Sequence, residues 1–388
     1  MQCGAGRALM TSMASCRWCG SGHGETVLDL GLQPACDDFP RPGDPPAPVH
    51  PLRLWACDGC GLAQLPDRSP VPQEPRAVEP AALSAHARDS VAWALSQGLL
   101  VAGTSAREFG SPHGGSWVEL LAAAGLEVRQ DDGAGPVDAV IDVFGLMHEE
   151  DQRAGLGHRV ECLTTDGVLV LVFPPLETVV ELGQWNALRH GHHAYPSTAV
   201  AARQLAECGL TVVASVLHPL YGGTRLLAAR RSSAVAPRAV SVPLPGDVPR
   251  AALTALAESV AAGVAALRAH LQQAAAEGRR VIGYGAASRA VPLLVGAGIG
   301  PELLPAVADA SPAKQGRLIP GVGLPVVGPD ELVAARADEV LLFLPDLLDE
   351  VRSALPEVEH SGACWRSVET LMPTRAECPP RPTSTPAS

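Results

Sequence analysis

Two short cysteine pairs near the start of the chain constrain its fold more than any other feature. Cys16 and Cys19 enclose two residues, as do Cys57 and Cys60, and a glycine follows each pair. Each C-x-x-C turn directs two thiolates at one ion, and two such turns complete the four-thiolate shell of structural zinc. A redox-active dithiol is the alternative. The spacing predicts a small loop-rich module whose folding depends on zinc.

Composition excludes several classes of protein. The 388 residues carry 29 Lys and Arg against 41 Asp and Glu, a formal net charge of −12, and their ten cysteines are too sparse for a disulfide scaffold. An acidic chain without a basic stripe is poorly suited to nucleic acid or anionic lipid. No apolar run reaches the ~20 residues of a membrane span, and the first residues do not match a signal peptide. We expect a cytoplasmic protein with no nucleic-acid or membrane partner; its oligomeric state stays open.

The chain divides at stretches rich in proline and serine. One follows the second cysteine pair and another covers residues 232–249. Between and after them, helical patterns alternate with short apolar runs, which is typical of α/β sheets. We predict a tail at 1–14, a zinc-binding domain at 15–75, α/β domains at 76–235 and 236–375, and a disordered tail at 376–388. The cysteine module is expected to unfold on chelation without affecting the last domain.

Several sequence blocks resemble one known family. They are 16–20, 27–34 and 57–65 around the cysteines, then Arg189-His190-Gly191-His192-His193-Ala194-Tyr195, Tyr221-Gly222-Gly223-Thr224-Arg225, Gly283-Tyr284-Gly285-Ala286-Ala287-Ser288, 309–316 and 319–321. In this order they resemble the sugar C-methyltransferases that act on nucleotide-linked keto-deoxysugars in antibiotic pathways. The resemblance implies an α/β architecture in which a shortened class I methyltransferase-like Rossmann domain lies between the zinc module and a C-terminal Rossmann-like domain. It also implies S-adenosylmethionine as cofactor and a nucleotide-sugar as substrate.

The middle domain is where the resemblance implies a cofactor site. A glycine-rich turn after the first strand lets the backbone approach the cofactor, and an acid after the second strand holds the ribose hydroxyls. The candidates are Gly110, Ser111 and Gly114 for the turn, and Asp131 or Asp132 for the acid. An ordinary Gly/Pro loop is the alternative. The family carries Asn-Asp-Gly in this turn, whereas Pro112-His113 replaces the polar pair here.

The connection after the ribose acid is unusually short. Such folds place a helix and a third strand there, and a crossover takes at least about 10 to 12 residues. Only about half that number separate Asp132 from the apolar run at 137–143. We therefore predict that part of the cofactor cradle is missing.

The histidine block carries the candidate chemistry. Methylation of a carbon beside a ketone needs a base, and imidazole, with a pKa of about 6.5, supplies a neutral one near pH 7. The family block reads Tyr-His-Glu-His with the last histidine as base, so the resemblance assigns this role to His192, with His190 and Tyr195 as further catalytic candidates. Arg189 and Gly191 stand where the family has Tyr and Glu. Solvated histidines without a role are the alternative, and we expect no metal on the clustered block histidines because no nearby carboxylate completes a set.

Substrate-binding candidates come from the later blocks. By resemblance they are Tyr221, Gly222, Arg225, Tyr284, Gly285 and Lys314. Gly283 and Gly285 follow a predicted strand and open a helix, a geometry that also suits a dinucleotide phosphate, with Asp309 as the acid that NAD would require. The resemblance favours the nucleotide-sugar instead. Lys314 is a candidate diphosphate partner, and a solvated lysine is the alternative.

These features together predict an S-adenosylmethionine-dependent C-methyltransferase that acts on a nucleoside-diphosphate keto-deoxysugar. Two alternatives remain. One is a degenerate relative that binds a nucleotide-sugar or a partner protein without methyl transfer, and the other is an enzyme that uses the same cleft for different chemistry. The shortened cofactor domain favours these alternatives, whereas the intact flanking blocks favour a retained ligand.

Overall fold

Three β-sheets flanked by helices make up the structure, a computed structural model that describes residues 14–67, 78–130, 135–234 and 242–372. In chain order the strands are β1 (Gly24–Pro34), β2 (Val49–Cys57), β3 (Ala63–Gln64), β4 (Ser105–Gly110), β5 (Glu127–Val128), β6 (Val137–Val143), β7 (Leu163–Phe173), β8 (Ala194–Tyr195), β9 (Leu210–His218), β10 (Thr224–Arg231), β11 (Val281–Tyr284), β12 (Val307–Ala308), β13 (Val326–Val327), β14 (Glu339–Leu342) and β15 (Cys364–Ser367). The helices are α1 (Ala81–Ser96), α2 (Val118–Ala123), α3 (Gln152–Glu161), α4 (Leu176–Glu181), α5 (Thr198–Glu207), α6 (Arg250–Ala276), α7 (Ala290–Gly296), α8 (Pro329–Ala335), α9 (Leu348–Ala354) and α10 (Pro356–His360).

The cysteine module is built on a long antiparallel hairpin. β1 pairs with β2, and β3 adds to the other edge of β2. The fourth strand of this sheet is β8, which comes from the segment between α4 and α5 and pairs antiparallel with β3. The sheet of the module is therefore completed by residues of the histidine block.

The middle sheet has the strand order β5-β4-β6-β7-β10-β9, and β10 runs antiparallel to both of its neighbours. The central strands β6 and β7 are apolar and almost wholly buried, as expected for parallel strands covered on both faces. β5 and β6 lie on opposite sides of β4, and only residues 129–136 connect them. The described part of that connection holds neither helix nor strand, in agreement with the predicted shortening.

The C-terminal sheet has the order β13-β12-β11-β14-β15, and all of its strand pairs are parallel. Parallel strands that alternate with helices make this unit Rossmann-like and confirm the predicted α/β class. The domain boundaries stay predictions, since residues 68–77 and 235–241 lie outside the described part of the chain. The same holds for the predicted tails, apart from Ala14.

One hydrophobic core joins the cysteine module to the C-terminal unit. Leu28 and Leu54 of the hairpin belong to the same buried cluster as Leu253 and Leu267 of α6 and Leu341 of β14. Because the two share a core, we now expect chelation to affect the last domain as well, contrary to the expectation from the sequence. The sequence missed this contact because helical periodicity shows that α6 has an apolar face but not what covers it.

Helix α6 is long and apolar enough, by length and composition, to cross a membrane. Its apolar face, which includes Leu253, Leu256, Leu267 and Leu271, is buried in the shared core. This packing is that of a core helix.

A buried ion pair fixes the turn that follows β6. The Nε atom of Arg159 in α3 lies 2.5 Å from Oδ2 of Asp142, and the two side chains are 2% and 0% exposed. The other carboxylate oxygen, Oδ1, accepts hydrogen bonds from the backbone N–H groups of Gly145 and Leu146 at 3.0 and 3.1 Å. Phe144, which lies between Asp142 and Gly145 in the chain, takes a left-handed backbone with φ of 56°. The ion pair therefore sets the course of the chain into the turn that carries His148.

We predict that Arg159→Met destabilises the protein by about 3–5 kcal/mol, because it leaves the Asp142 carboxylate buried without its cation. The matched control is Arg352→Met, which removes an arginine from the half-exposed pair with Glu359 and should cost about 1 kcal/mol or less. Urea denaturation of both variants measures the difference. Equal losses would contradict the role given to the buried pair.

Candidate functional site

The four predicted zinc ligands come together at the tip of the hairpin. The Sγ atoms of Cys16, Cys19, Cys57 and Cys60 all lie within 4.8 Å of one another, with 3.5 Å between Cys16 and Cys60 and 3.6 Å between Cys19 and Cys57. A tetrahedral ion with Zn–S bonds of about 2.3 Å requires S–S distances of about 3.8 Å. The cluster therefore fits zinc without rearrangement.

Local backbone geometry explains this convergence. Gly20 and Gly61, which follow the two cysteine pairs, take φ values of 73° and 77°, a left-handed conformation that glycine adopts without strain. Their N–H groups donate back to the carbonyls of Cys16 and Cys57 and close each turn. A hydrogen bond to Cys60 is the main cause of a lowered Cys16 pKa, about 5, as expected for a thiol ready to ligate as thiolate.

The remaining described cysteines stand apart from the cluster. Cys36 is buried in the shared core, and Cys162 is buried in the middle domain. Cys364 is exposed on the edge strand β15. Cys208 is partly exposed.

The cysteine module holds the histidine block directly. Besides the β3–β8 pairing, the N–H of Leu65 donates to the carbonyl of His193 at 3.1 Å. The ring of His190 donates from Nε2 to the carbonyl of Pro51 at 3.1 Å. His190 is thus turned toward the hairpin, and we assign it a positioning role instead of the predicted catalytic one.

Three histidines from separate segments meet at the carboxyl ends of β4 and β6. His113 comes from the turn after β4, His148 from the turn after β6, and His192 from the histidine block; one ring nitrogen of each lies within 4.8 Å of the others. Ring centroids are 4.7 Å apart for His148 and His192, and 5.1 Å apart for His113 and His148. Crevices at this end of a parallel sheet are the usual ligand sites of α/β folds.

Burial and nearby cations keep the imidazoles of His148 and His192 neutral. Burial lowers the pKa of His148 to about 3, assisted by His113 and Arg189. Burial is also the main reason that the pKa of His192 lies well below its ordinary value, and the charge of Arg189 is the second. At neutral pH each ring therefore keeps one nitrogen without a proton, and the lone pair of that nitrogen is available to an electrophile.

Arg189 occupies the place of the family's tyrosine and connects all three parts of the protein. Its Nη2 atom lies 2.7 Å from Oδ2 of Asp37 in the cysteine module and 2.6 Å from Nε2 of His113. Its Nη1 atom donates to the hydroxyl of Ser288 in the C-terminal unit at 2.7 Å. The hydroxyl of Tyr195 accepts from the backbone N–H of Arg189 at 3.0 Å, so that this predicted catalytic residue orients the block.

The predicted cofactor turn lies against the histidine cluster. Gly110 ends β4, the hydroxyl of Ser111 lies 3.5 Å from Nε2 of His148, and Gly114 takes a left-handed φ of 106°. Asp131 and Asp132 lie outside the described residues. The part of the turn that the structure describes is thus placed for a ligand that reaches the imidazoles.

Tyr221 and Gly222 form a strained turn before β10. Both take left-handed backbones, with φ of 57° and 79°, and a Cβ on Gly222 would come within 2.5 Å of the Gln184 side chain. The guanidinium of Arg289 lies 5.6 Å from the Tyr221 ring centroid. Arg225 follows on β10, where its Nη1 donates to Ser215 at 3.4 Å. Arg289 is a residue that the sequence analysis passed over.

The C-terminal candidates differ in their access to a ligand. Tyr284 is 6% exposed, and its ring packs edge-on against Trp365 in the core, so we no longer propose it as a substrate contact. Gly285 needs its left-handed φ of 90° to turn the chain beside Leu344. Lys314 is buried and donates from Nζ to the carbonyl of Ala286, so that it is not a solvated lysine.

Comparisons with known proteins agree with this architecture. A family model of the C-methyltransferase C-terminal domain matches residues 249–367, and one of a zinc binding domain matches residues 16–72. The C-methyltransferase NovU of Streptomyces niveus is 24% identical over 406 residues, which cover 89% of this chain and 94% of that protein. The chain is thus similar to C-methyltransferases at both ends and to one of them over most of its length. The resemblance found in the sequence is thereby confirmed.

Solved structures share only a distant likeness with this chain. Magnesium protoporphyrin IX methyltransferase of Synechocystis, with bound SAH, is 18% identical and aligns over 39% of this chain and 84% of its own, with a TM-score of 0.29. The 1,6-didemethyltoxoflavin-N1-methyltransferase of Burkholderia thailandensis is 17% identical over 44% of this chain and 95% of its own, with a TM-score of 0.26. TM-scores this low carry no argument about ligands.

Sequence reasoning found His192 but not the two histidines beside it. A signal for them existed, because His113 and His148 each follow a strand of one parallel sheet within five residues, and such strand ends meet at one edge. The pairing of β4 with β6 was needed to bring them together, and sequence spacing does not supply that pairing.

We predict that Cys57→Ser abolishes the thiolate-bound metal and also loosens α6, because the hairpin and α6 share a core. The matched control is Cys36→Ala, which alters a buried cysteine of the same module without touching the metal. Cobalt substitution reports the thiolate site through its charge-transfer absorption, and hydrogen exchange reports α6. Unchanged protection of α6 in the metal-free variant would contradict the structural coupling.

Proposed function

We propose that this protein transfers a methyl group from S-adenosylmethionine to the carbon beside the ketone of a nucleoside-diphosphate keto-deoxysugar. The observation that carries the proposal is the convergence of the predicted cofactor turn with the histidine block. A ring nitrogen of His113, in that turn, lies within 4.8 Å of a ring nitrogen of His192. The match to the C-methyltransferase C-terminal domain and the similarity to NovU support methyl transfer to carbon.

The chemistry requires a base and a methyl donor at the same carbon. His192 is proposed to remove the acidic proton alpha to the ketone, a step for which a neutral imidazole is suited. The resulting enolate carbon then attacks the methyl group, whose bond to sulfur breaks. S-adenosylmethionine supplies this electrophilic methyl group when bound. Holding the partners in line accounts for much of the rate gain in such a reaction.

Positive charge around the cluster supports an anionic substrate. Arg189 and Arg289 both contribute to the electrostatics at His192. Burial lowers the pKa of Arg289, with the charge of Asp346 opposing it. Together with Arg225, these guanidiniums are proposed to meet the diphosphate, for which arginine is well suited by its fork of N–H donors.

A second function is favoured by the short connection between β5 and β6. Without a third strand, the cradle for the adenosine half of the cofactor is reduced. The protein would then bind a nucleotide-sugar without methylating it. Cofactor binding distinguishes the two functions.

We expect S-adenosylmethionine to bind in the micromolar range in a calorimetric titration of the zinc-loaded protein. Gly114→Ala should weaken binding by about tenfold, because alanine disfavours the left-handed turn by about 1–2 kcal/mol. Gly43→Ala is the matched control, since Gly43 is left-handed with φ of 92° in a loop of the cysteine module. The absence of heat and of thermal shift at millimolar cofactor would select the non-methylating function.

His192→Ala should slow solvent-deuterium exchange at the α-carbon of the sugar by about 10² to 10⁴-fold, the usual contribution of a general base. His158→Ala is the control, because His158 is exposed in α3 and stacks edge-on against Phe109. Exchange is followed by mass spectrometry without S-adenosylmethionine, which separates proton removal from methyl transfer. An unchanged exchange rate would remove His192 from the reaction.

A further inference from the structure

We propose that His113, His148 and His192 bind a divalent transition-metal ion, at a site separate from the four cysteines. One ring nitrogen of each histidine lies within 4.8 Å of the other two. A tetrahedral ion with M–N bonds of about 2.0–2.1 Å needs nitrogens about 3.4 Å apart. Modest rotation of the three rings about their side-chain torsions closes the difference.

A backbone carbonyl already orients the His148 ring and fixes its tautomer as a metal ligand requires. Its Nδ1 atom lies 2.9 Å from the carbonyl oxygen of Gly191, and a carbonyl only accepts, so that Nδ1 carries the proton. The lone pair of the neutral ring is then on Nε2. A histidine whose second nitrogen donates to a backbone carbonyl is the arrangement found around metal ions in proteins, where it fixes the tautomer and raises the basicity of the ligand.

The three segments that carry the histidines are held without a metal ion at the histidines themselves. His148 follows the turn that the Asp142–Arg159 pair fixes, and His192 precedes β8, which the cysteine module holds through β3. The hydroxyl of Ser111 accepts from the backbone N–H of His113 at 3.1 Å and shapes the third turn. Ligands on segments that are already ordered bind without the cost of ordering the chain.

The guanidinium of Arg189 already donates a hydrogen bond to the imidazole of His113. Nη2 of Arg189 is 2.6 Å from Nε2 of His113, and because a guanidinium only donates, Nε2 of His113 is the acceptor. A metal ion competes with this hydrogen bond for the lone pairs of the cluster. Arg189 keeps its contacts with Asp37 and Ser288 when it releases His113, so that the exchange leaves no guanidinium without partners.

The donor set indicates the class of metal. Imidazole nitrogens suit Zn²⁺, Fe²⁺, Co²⁺ and Ni²⁺, whereas Mg²⁺ and Ca²⁺ prefer oxygen. Within the described residues, no carboxylate belongs to this cluster. Three protein ligands leave a coordination position open, the pattern of catalytic rather than structural sites. The sequence predicted no metal on the block histidines because that block was taken alone. Only His192 comes from the block, whereas His113 and His148 come from the turns after β4 and β6.

A metal here would refine the proposed reaction, on which this step of the inference rests. Its open position would receive the ketone oxygen of the substrate and stabilise the negative charge that develops there. His192 would then act as a ligand instead of a free base. Deuterium exchange is lost in His192→Ala under either role, and the metal content separates the two roles.

The test measures metal stoichiometry in the full chain, independently of activity. Apoprotein is reconstituted with Co²⁺, excess metal is removed, and the ions per chain are counted by mass spectrometry alongside the absorption spectrum. We expect two ions per chain, one with thiolate charge-transfer absorption and one with only the weaker bands of nitrogen ligation. His113→Ala and His148→Ala should retain the thiolate signal and fall to one ion. The retained signal shows that the variants are folded around the cysteine cluster.

Two further variants keep the result decisive. His113→Gln preserves an acceptor for Arg189 but removes the imidazole, and it should also bind one ion; His158→Ala should bind two. One ion per chain in the unmodified protein at saturating Co²⁺, or two in both His113 variants, would overturn the metal site. Calorimetry with S-adenosylmethionine on the same samples tests the proposed function separately, so that failure of the metal site and failure of cofactor binding are distinguishable.

Discussion

The short antiparallel pairing of β3 with β8 is the contact on which the candidate site depends. Zinc ligation by Cys57 and Cys60 fixes the turn that leads into β3, and β3 in turn pairs with the strand that immediately follows His193. A two-residue strand has little stability of its own. The metal adds rigidity at the tip of the hairpin, where β3 begins, and the β3–β8 pairing passes it to the histidine block.

A second constraint acts from the opposite side of the cluster. The buried pair of Asp142 and Arg159 holds a turn in which Phe144 is left-handed, a conformation that costs about 1–2 kcal/mol in an L-residue. Strain of this kind persists where the surroundings over-determine it, and it is concentrated near functional sites. His148 is therefore placed by electrostatics and backbone strain, whereas His192 is placed by metal-dependent pairing. The two meet because the N–H of His193 donates to the carbonyl of Met147, and Nδ1 of His148 donates to the carbonyl of Gly191.

Some features of this structure were predictable because they depend on residues that are close together in the sequence. The four zinc ligands follow from C-x-x-C spacing, and β6 follows from an apolar run whose bounds, 137–143, the structure reproduces. The shortened crossover was visible as a count of residues. The pairing of β3 with β8, and the core shared by Leu54 and Leu341, were not predictable, since they join segments far apart in the chain.

The substitutions in the histidine block become intelligible once these distant contacts are known. In the sequence alone, Arg189 and Gly191 only replace the tyrosine and the glutamate that the family has at these positions. In three dimensions Arg189 links Asp37, His113 and Ser288, one residue from each part of the protein, and the carbonyl of Gly191 fixes the tautomer of His148. His113 stands where the family has a polar residue of the cofactor turn, and it completes the imidazole cluster. These changes occur at positions that contact one another, so that the block has been rebuilt around a different set of donors instead of decaying residue by residue.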